Sequence, residues 1–583
     1  MEIVFDIETP MVADWLNLSD VKEILCMAVS VDGAEPKTVD MEYGMMLLAN
    51  ADTVIGHNIQ SFDIPAIKRV YPKFELSGQI FDTLVASRLL HADIRERDFL
   101  LPEFPKELVG SHSLKAWGYR LGLGKGQAPE FTTSEELNAY CRQDVRVTQR
   151  LYKHLLNHPS MPEATKAITL EHEFAAIIRK QERTGFPFDI KGAERLHAEL
   201  RKELLGLEQE MQTLFPPKVI ERVSEKTGKA MKSKIEVFNP GSRLQIAERL
   251  MERHQWKPIE LTPDGRPRID ESVLSDLPYP EAKTLCRYLT IIKRLGQVAD
   301  GDEAWLRAVS TDGRIHGLVN TNGAITGRCT HRSPNLAQVP KEPEYRALFL
   351  PAANEVLVGV DASGLELRCL AHYLGKYDGG VYAATILTGD IHWENAKAFG
   401  LTTDAVQDKT NPTHKQARDQ AKGAIYALIY GAGNDKLGFV LGGTGARGKK
   451  ARMNFEAKVP AYAALKADVT QLMATRGWMR GLDARPLYPR STHAALNTLL
   501  QSAGAVVMKE ACVIAHRNFA LQSIPVKQVA TVHDEYQFTV KGAYAETVGN
   551  IVVQAIQEAG KYYKFRCKLD GVHRSGANWA ETH

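Results

Sequence analysis

The stretch DASGLELR, residues 361–368, directly follows a largely apolar run, 355–360, which predicts a buried strand ending at the carboxylate of Asp361. A second motif, VHDEY at 532–536, places Asp534 where two predicted strands meet. If the two segments are neighbours in one antiparallel sheet, the carboxylates converge. Such a pair has the composition of a site for two divalent cations ~3.5–4 Å apart, which stabilise the attacking and leaving oxygens of phosphoryl transfer.

A predicted helix, 415–430, lies between these two acids. At intervals of four residues it carries Arg418, Lys422, Tyr426 and Tyr430. This spacing keeps the four side chains on roughly one face, where a guanidinium and an ammonium can bind a polyphosphate and Tyr426 can stack on a base or fill a sugar site. The alternative is an amphipathic helix with a basic, solvated stripe, which the tyrosines in the same stripe disfavour.

A second set of acids lies near the N-terminus. The set and its tyrosine are Asp6, Glu8, Asp63, Tyr140 and Asp144. The first two are two residues apart on a predicted strand and share a face, and the last two are four residues apart on a predicted helix, 133–156, and also share a face. Hard oxygen ligands of this kind suit Mg²⁺ or Mn²⁺, and Tyr140 can orient an attacking water. The alternative is that each acid is solvated on the surface.

Composition bounds the class of protein. The 583 residues suggest about four domains at ~150 residues each, and 44% hydrophobic and 25% charged residues are ordinary for a globular chain. Seven cysteines without a C-x-x-C pair argue against a zinc site and fit a reducing cytoplasm. The charged N-terminus does not fit a signal peptide, and we expect no stretch to approach the ~18 apolar residues of a membrane helix. The net charge of +3 gives little information about the class of protein.

The N-terminal motifs resemble the three motifs of the DEDDy 3′→5′ exonuclease superfamily. DIET, HNxxxFD and YxxxD carry the resemblance. It implies that four acids bind the metal ions and that Tyr140 fills the tyrosine position. Those acids are Asp6, Glu8, Asp63 and Asp144.

The later motifs resemble those of family A DNA polymerases. DASGLELR is similar to motif A, RxxxKxxxYxxxYG to motif B and VHDE to motif C. The resemblance implies that Asp361 and Asp534 are the catalytic metal ligands and that Glu366 excludes ribonucleotides. It also implies a triphosphate clamp, in which Lys422 neutralises the leaving pyrophosphate; its members are Arg418, Lys422 and His392. Tyr426 fills the sugar-side position, where tyrosine implies use of dideoxynucleotides, and Tyr430 lies under the templating base.

The same resemblance implies contacts to primer–template DNA. The implied residues are Arg328, Gln338, Asn497, Gln501 and His533. Asn497 and Gln501 are four apart on an otherwise apolar helix, predicted over 493–516, and a buried polar pair there needs partners. The alternative for this pair is hydrogen bonding to other protein groups.

The fold class implied is α/β multidomain: an RNase H-like exonuclease domain followed by a right-hand polymerase. We expect an exonuclease domain at 1–165 and a linker helix with the thumb at 166–310. The palm is expected at 311–376 and 480–583, with the fingers at 377–479. Two Mg²⁺ are expected at each carboxylate site, with Mn²⁺ possible.

Long strings such as GSHSLKAWGYRLG and HAALNTLLQSAGA resemble the replicative polymerases of T-odd (T-seven-like) podophages. In well-studied members of that group a long thumb insertion captures thioredoxin. Here only a short basic loop, 217–237, takes its place, so we expect no thioredoxin docking; the loop either contacts duplex phosphates or is a solvated basic hairpin. The ending NWAETH is expected to lie in the palm near the metals, as in related polymerases.

The resemblance also implies partners and a setting. We expect primer–template DNA and dNTPs as substrates, a phage helicase-primase and a single-stranded DNA-binding protein as possible partners, a monomer, and action in the host cytoplasm without a membrane. The alternatives are a bacterial-type repair polymerase, a single-subunit RNA polymerase, and a nuclease or DNA-binding protein without synthesis. Glu366 and the complete exonuclease motifs disfavour the RNA polymerase, and the intact carboxylates disfavour a protein without synthesis.

Overall fold

The computed structural model describes residues 1–13, 16, 18–124, 133–223, 230–258 and 260–583. The chain forms two compact units. The first comprises Met1–Gly185, Gly317–Arg332 and Pro351–His583, and the second comprises Phe186–His316 and Ser333–Leu350.

The first unit begins with a five-stranded mixed sheet of order β3-β2-β1-β4-β5. Its strands are β1 Glu2–Glu8, β2 Cys26–Val31, β3 Lys37–Val39, β4 Thr53–Gly56 and β5 Gln79–Asp82. Its helices are α1 Met41–Ala49, α2 Asp63–Val70, α3 Thr83–Leu90, α4 Ile94–Asp98, α5 Leu114–Arg120, α6 Ser134–Leu156 and α7 Met161–Thr184. The expected strand at 2–8 and the helix over 133–156 are confirmed, and Thr133 and Glu136 form the capping box that starts α6.

Strand β1 is buried on both faces, which explains its run of apolar residues. Ile3, Phe5 and Ile7 face one hydrophobic cluster, while Val4 faces another together with Val145 of α6. Because side chains alternate along a strand, Asp6 follows Val4 on the α6 side of the sheet.

The second unit is mainly helical. Its helices are α8 Ile190–Leu214, α9 Arg243–His254, α10 Glu271–Ser275, α11 Pro280–Leu295, α12 Trp305–Ala308 and α13 Pro343–Arg346. Its strands are β6 Phe186–Pro187, β7 Lys218–Val223, β8 Ala230–Glu236 and β9 Arg314–Ile315. Strands β7 and β8 pair antiparallel, so the segment expected as a loop is a hairpin. Two lysines of this basic segment, Lys226 and Lys229, lie outside the described residues.

The rest of the first unit is built around a four-stranded antiparallel sheet of order β15-β16-β12-β17. The strands of this part are β10 Leu318–Asn320, β11 Thr330–Arg332, β12 Val356–Ala362, β13 Met479–Arg480, β14 Pro486–Leu487, β15 Lys527–Val532, β16 Glu535–Val540 and β17 Gly571–Gly576. The helices are α14 Leu365–Asp378, α15 Val381–Thr388, α16 Ile391–Phe399, α17 Pro412–Ile429, α18 Asn434–Val440, α19 Gly445–Lys458, α20 Pro460–Arg476, α21 Ala495–Leu521 and α22 Ala545–Tyr562.

Helix α21 corrects one expectation from the sequence. The segment Thr492–Leu521 is long and apolar enough to cross a membrane, with a window of mean hydropathy 1.3, so the expectation that no stretch approaches this length was wrong. The physical reason for the composition is burial, since 83% of that window is enclosed where α21 packs against α22, α7 and α14. A helix that is apolar all round is typical of a protein core as well as of a membrane.

Candidate active sites

Asp361 and Asp534 lie side by side at one end of the four-stranded sheet. Strand β12 pairs antiparallel with β16, and Asp361 lies opposite Glu535. Asp534 is in the turn between β15 and β16, and its carbonyl accepts the amide of Ala362 at 3.1 Å. The turn is tight because His533 adopts a left-handed φ of 56°. The convergence expected from the two strand patterns is thus confirmed.

The environment of these two acids is unfavourable for two bare negative charges. Burial, together with the neighbouring Asp534 and Glu535, raises the pKa of Asp361 to about 7. Burial and Glu366 likewise raise the pKa of Asp534 to about 6. A bound cation offsets the repulsion between carboxylates that are crowded in this way. Their oxygen atoms are suitable ligands for a divalent ion such as Mg²⁺.

Glu366 is held by two of the predicted binding residues. The Tyr430 hydroxyl donates to its Oε1 at 3.3 Å, and Nη2 of Arg328 lies 3.7 Å from the same oxygen. Tyr430 directly follows Ile429, the last residue of α17, and caps the C-terminal end of that helix. The structure therefore joins the turn of Arg328, the start of α14 and the end of α17 beside Asp534.

Asp390 links α16 to α17, a role that the sequence reasoning missed. Its carboxylate accepts the backbone amides of His392 and Trp393 at 3.0 and 3.2 Å and so caps α16. It also accepts from Nε of Arg418 at 2.7 Å. One carboxylate thus positions two of the predicted phosphate contacts. The sequence feature that could have revealed this role is the position of Asp390 two residues before His392, in GDIH.

The residues of the predicted triphosphate clamp lie close together, and His392 is also near Tyr426. The His392 and Tyr426 rings are 6.4 Å apart. Burial lowers the pKa of His392, and the charges of Arg418 and Lys422 lower it further. The two cations beside His392 make this surface positively charged, which is the electrostatic setting that a triphosphate requires.

Glu535 is a buried acid that the motif reasoning left without a role. It accepts from Nε1 of Trp579 at 2.5 Å and lies 2.9 Å from Nδ1 of His583. Burial alone would raise the pKa of Glu535, but hydrogen bonds from His583, Trp579 and Gln537 hold it below its usual value. The NWAETH segment therefore lies against the four-stranded sheet beside Asp534.

The turn that carries Arg328 rests on a buried charge network. Arg485 Nη1 and Lys509 Nζ lie 2.8 and 2.6 Å from Oε1 of Glu171. Gly327 has φ +75°, and a Cβ there would approach Arg485 Nη1 to 2.5 Å. Only glycine fits this close approach, so Arg485 supports the backbone directly before Arg328.

The predicted DNA contacts fall into both units. Asn497 and Gln501 line a cleft of the first unit together with Asn320 and Asn322. Among the described residues, Asn497 Oδ1 is buried and has no hydrogen-bond partner, so the alternative of an internal protein partner finds no support for that atom. Gln338 belongs to the second unit, where its carbonyl accepts from Gln297 at 3.1 Å.

The N-terminal acids gather around β1 and α6. Ligand atoms of Asp6, Glu8 and Cys141 all lie within 4.8 Å of one another. Asp63 is 4% exposed, and its Oδ1 accepts the amide of Ile7 at 3.3 Å. Burial raises the pKa of Asp63 to about 7, with further contributions from Asp82 and Glu8.

Helix α6 packs against β1 and β2 and carries Tyr140 and the buried Asp144 on the same helix as Cys141. Sequence reasoning missed Cys141, whose Sγ lies 3.4 Å from the Asp6 carbonyl; its position directly after Tyr140 was the available signal. These acidic oxygens also suit a hard divalent ion.

A family model described as DNA polymerase family A matches residues 209–581. The chain belongs to DNA polymerase family A, whose members are DNA-directed DNA polymerases and depend on metal ions.

Two phage proteins are similar along almost their whole length. The DNA-directed DNA polymerase of Enterobacteria phage T3 is 35% identical, over 91% of this chain and 92% of that protein. That of Escherichia phage T7 is also 35% identical, over 92% and 93%.

One solved structure supports the fold. The POL domain of Pol1 from M. smegmatis, in complex with DNA primer-template and dNTP, matches with a TM-score of 0.76. The match covers 99% of this chain and 95% of that chain, at 16% identity.

Proposed function

We propose that the site at Asp361 and Asp534 extends a primer 3′-hydroxyl with dNTPs on a DNA template and releases pyrophosphate. The observation that carries the proposal is the convergence of these two half-buried carboxylates, near Tyr426 and Tyr430 of the α17 stripe. The T3 and T7 relatives, which are named as DNA-directed DNA polymerases, support it.

Asp361 and Asp534 would hold the metal ions, and we propose two Mg²⁺, with Mn²⁺ as a substitute. When bound, these ions supply charge stabilisation at the attacking and leaving oxygens of phosphoryl transfer. The raised pKa values of both acids in the metal-free site support this assignment, since such groups gain most from a cation.

The remaining steps fall to side chains of this chain. Arg418 and His392, fixed by Asp390, would bind the triphosphate oxygens, and Lys422 would neutralise the departing pyrophosphate. Glu366, held by Tyr430, would exclude a 2′-hydroxyl. Arg328 and the cleft amides would position primer–template DNA, whose sequence is read by base pairing.

We further propose that the region 1–165 hydrolyses the primer 3′-end in the 3′→5′ direction. The four acids around β1 and α6 would hold two metal ions, which when bound supply a water activated for attack on the phosphodiester. Tyr140 would orient that water. Support comes from the close approach of Asp6 and Glu8 and from the crowding that raises the pKa of Asp63.

We propose that the enzyme acts as a monomeric replicative polymerase in the cytoplasm of a phage-infected cell. A helicase-primase and a single-stranded DNA-binding protein would be its partners. Thioredoxin capture is not expected, because the 217–237 segment is short and its described residues form the β7–β8 hairpin.

A labelled primer–template with Mg²⁺, with and without dNTPs, tests both activities. The native protein would be compared with Asp534→Ala, Asp6→Ala and, as a matched control, Asp302→Ala, which removes an exposed acid. We expect Asp534→Ala to abolish extension alone, Asp6→Ala to abolish shortening alone, and Asp302→Ala to change neither. Shortening without extension in the native protein would contradict the polymerase proposal, and extension without shortening would contradict the exonuclease proposal.

A further inference from the structure

The cleft that Asn497 and Gln501 line has a volume of about 680 Å³, within the ~300–1,000 Å³ of typical ligand sites. Its lining carries more positive than negative charge, since it includes Arg88, Arg95 and Arg490 against the single acid Glu96. Amides from Asn320 and Asn322 add hydrogen-bonding groups. A positively charged cleft with amide side chains fits a nucleic-acid backbone.

Arg88 is the most unusual of these cations. It lies on α3 and is partly buried, yet among the described residues it has no hydrogen-bond or ion-pair partner. Burial, together with the charges of Arg179 and Arg332, lowers the pKa of Arg88 to about 10. Arg88 still carries its charge at neutral pH, and a buried charge normally has a partner.

Arg332 reaches the same region from another element. It lies on β11 two residues after Thr330, which lines the cleft, so both side chains project from the same face of that strand. In the described part of the chain Arg332 also lacks a hydrogen-bond or ion-pair partner. The neighbouring Arg179, by contrast, is paired with Glu182. Two unpaired guanidinium groups close to each other repel, and an anion between them would remove that cost.

The position of the cleft indicates which kind of anion would bind there. One wall is α3, which begins next to Asp82, a neighbour of Asp63; Arg88 lies six residues further on, about 9 Å along the helix. Another part of the lining comes from residues 320–326, in the turn that leads to Arg328 beside Glu366. The cleft therefore lies between the two carboxylate sites of the first unit.

We propose that Arg88 and Arg332 form a phosphate-binding site for the backbone of a single DNA strand lying in this cleft. The guanidinium groups take one phosphodiester between them, and the amides of Asn320, Asn322 and Asn497 contact the adjoining sugar or base. The inference rests on the proposed function only in taking DNA as the strand.

Binding of a labelled single-stranded oligonucleotide, measured by fluorescence anisotropy in EDTA, tests the site without turnover. The variants are Arg88→Gln, Arg332→Gln and the control Arg69→Gln, which removes an exposed arginine on α2 outside the cleft. We expect about tenfold weaker binding for Arg88→Gln and Arg332→Gln, and a slope of log K against log salt shallower by about 0.7 for each lost phosphate contact. Arg69→Gln should behave as native, and Arg88→Lys should recover part of the affinity.

A scan with single methylphosphonate linkages locates the contact. In the native protein one linkage position should weaken binding more than the others, and that difference should vanish in Arg88→Gln. Equal penalties at every position, or native affinity and salt slope in both glutamine variants, would overturn the proposal. If Arg88→Gln fails to fold, the exposed Arg332→Gln carries the test.

A parallel titration with dATP in EDTA distinguishes a strand from a free nucleotide. We expect dATP affinity to be the same in the native protein and Arg88→Gln; loss of dATP binding alone would identify a nucleotide site and contradict the strand. Because neither assay needs catalysis, absence of primer shortening in Mg²⁺ would remove the exonuclease proposal and leave this result intact.

Discussion

Nδ1 of His583 lies 2.9 Å from Oε2 of Glu535, the residue that directly follows Asp534. Glu535 is also opposite Asp361 in the β12–β16 pair. A single imidazole thus stabilises the buried acid between the two metal-binding candidates, and it also lowers the pKa of Asp361 against the larger effect of burial.

Removing this imidazole should impair synthesis and spare hydrolysis. We expect His583→Ala to reduce the primer-extension rate about tenfold or more, because loss of a hydrogen bond to a charged, buried group costs about 1.5–3 kcal/mol. Single-turnover extension and shortening assays measure the two activities separately. His583→Gln, which retains an N–H donor, should keep part of the rate, and an equal loss of both activities would indicate general misfolding instead.

The raised pKa of Asp361 predicts a pH-dependent stability in the absence of metal. The folded pKa of about 7 exceeds the unfolded value of about 3.9, so the folded state binds more protons between these values and stability falls as pH rises through that window. In EDTA at pH 8, Asp361→Asn should be more stable than native by about 1–2 kcal/mol, which allows for solvent screening of a partly exposed group.

Thermal unfolding at pH 4 to 8 measures this difference, which should shrink toward pH 4. Added Mg²⁺ at pH 8 should raise the Tm of the native protein more than that of Asp361→Asn. An exposed control, Asp302→Asn, should give parallel curves with and without metal, and a difference between native and Asp361→Asn that does not vary with pH would contradict the linkage.

The α7–α21 contact offers a matched comparison of a buried and an exposed ion pair. Glu171→Gln leaves Lys509 buried without its carboxylate, while Arg485 retains its pair with Asp483, so we expect a loss of about 3–5 kcal/mol in the free energy of unfolding. Arg517→Met breaks the Arg517–Glu173 pair between the same two helices, where the side chains are 57% and 40% exposed, and should cost less than about 1 kcal/mol. Urea unfolding measures both; similar losses would mean that burial does not decide the effect.

The β7–β8 hairpin tests whether the basic segment touches DNA. Lys232 and Lys234 are exposed on β8. If they bind duplex phosphates, Lys232→Gln with Lys234→Gln should make the salt slope of primer–template binding shallower by about 0.9 for each contact and shorten the products of one binding event. Lys202→Gln on α8 is the control, and unchanged product length in the hairpin variant would indicate a solvated hairpin.

Local sequence patterns predicted the parts of the site that one element determines. The strand endings at Asp361 and Asp534, the helix over 133–156 and the i, i+4 series on α17 all follow from the period of a helix or strand. Helix α21 continues to Leu521, beyond the predicted end at 516, because no glycine or proline interrupts 516–521.

Contacts between distant segments were not predictable in this way. The Asp390–Arg418 pair, Cys141 beside Asp6, and the Glu171–Lys509 pair join residues from separate elements. Periodicity states which face a residue occupies and not which element covers that face, so packing alone decides these partners.

The wide separation of Asp361 and Asp534 along the chain has a consequence during synthesis on the ribosome. The N-terminal sheet and α6 are complete within the first 185 residues, whereas β16 must emerge before the palm acids can meet. A chain released before β16 would therefore carry the N-terminal acids but could not bring Asp361 and Asp534 together. Premature termination would remove the proposed site of synthesis first.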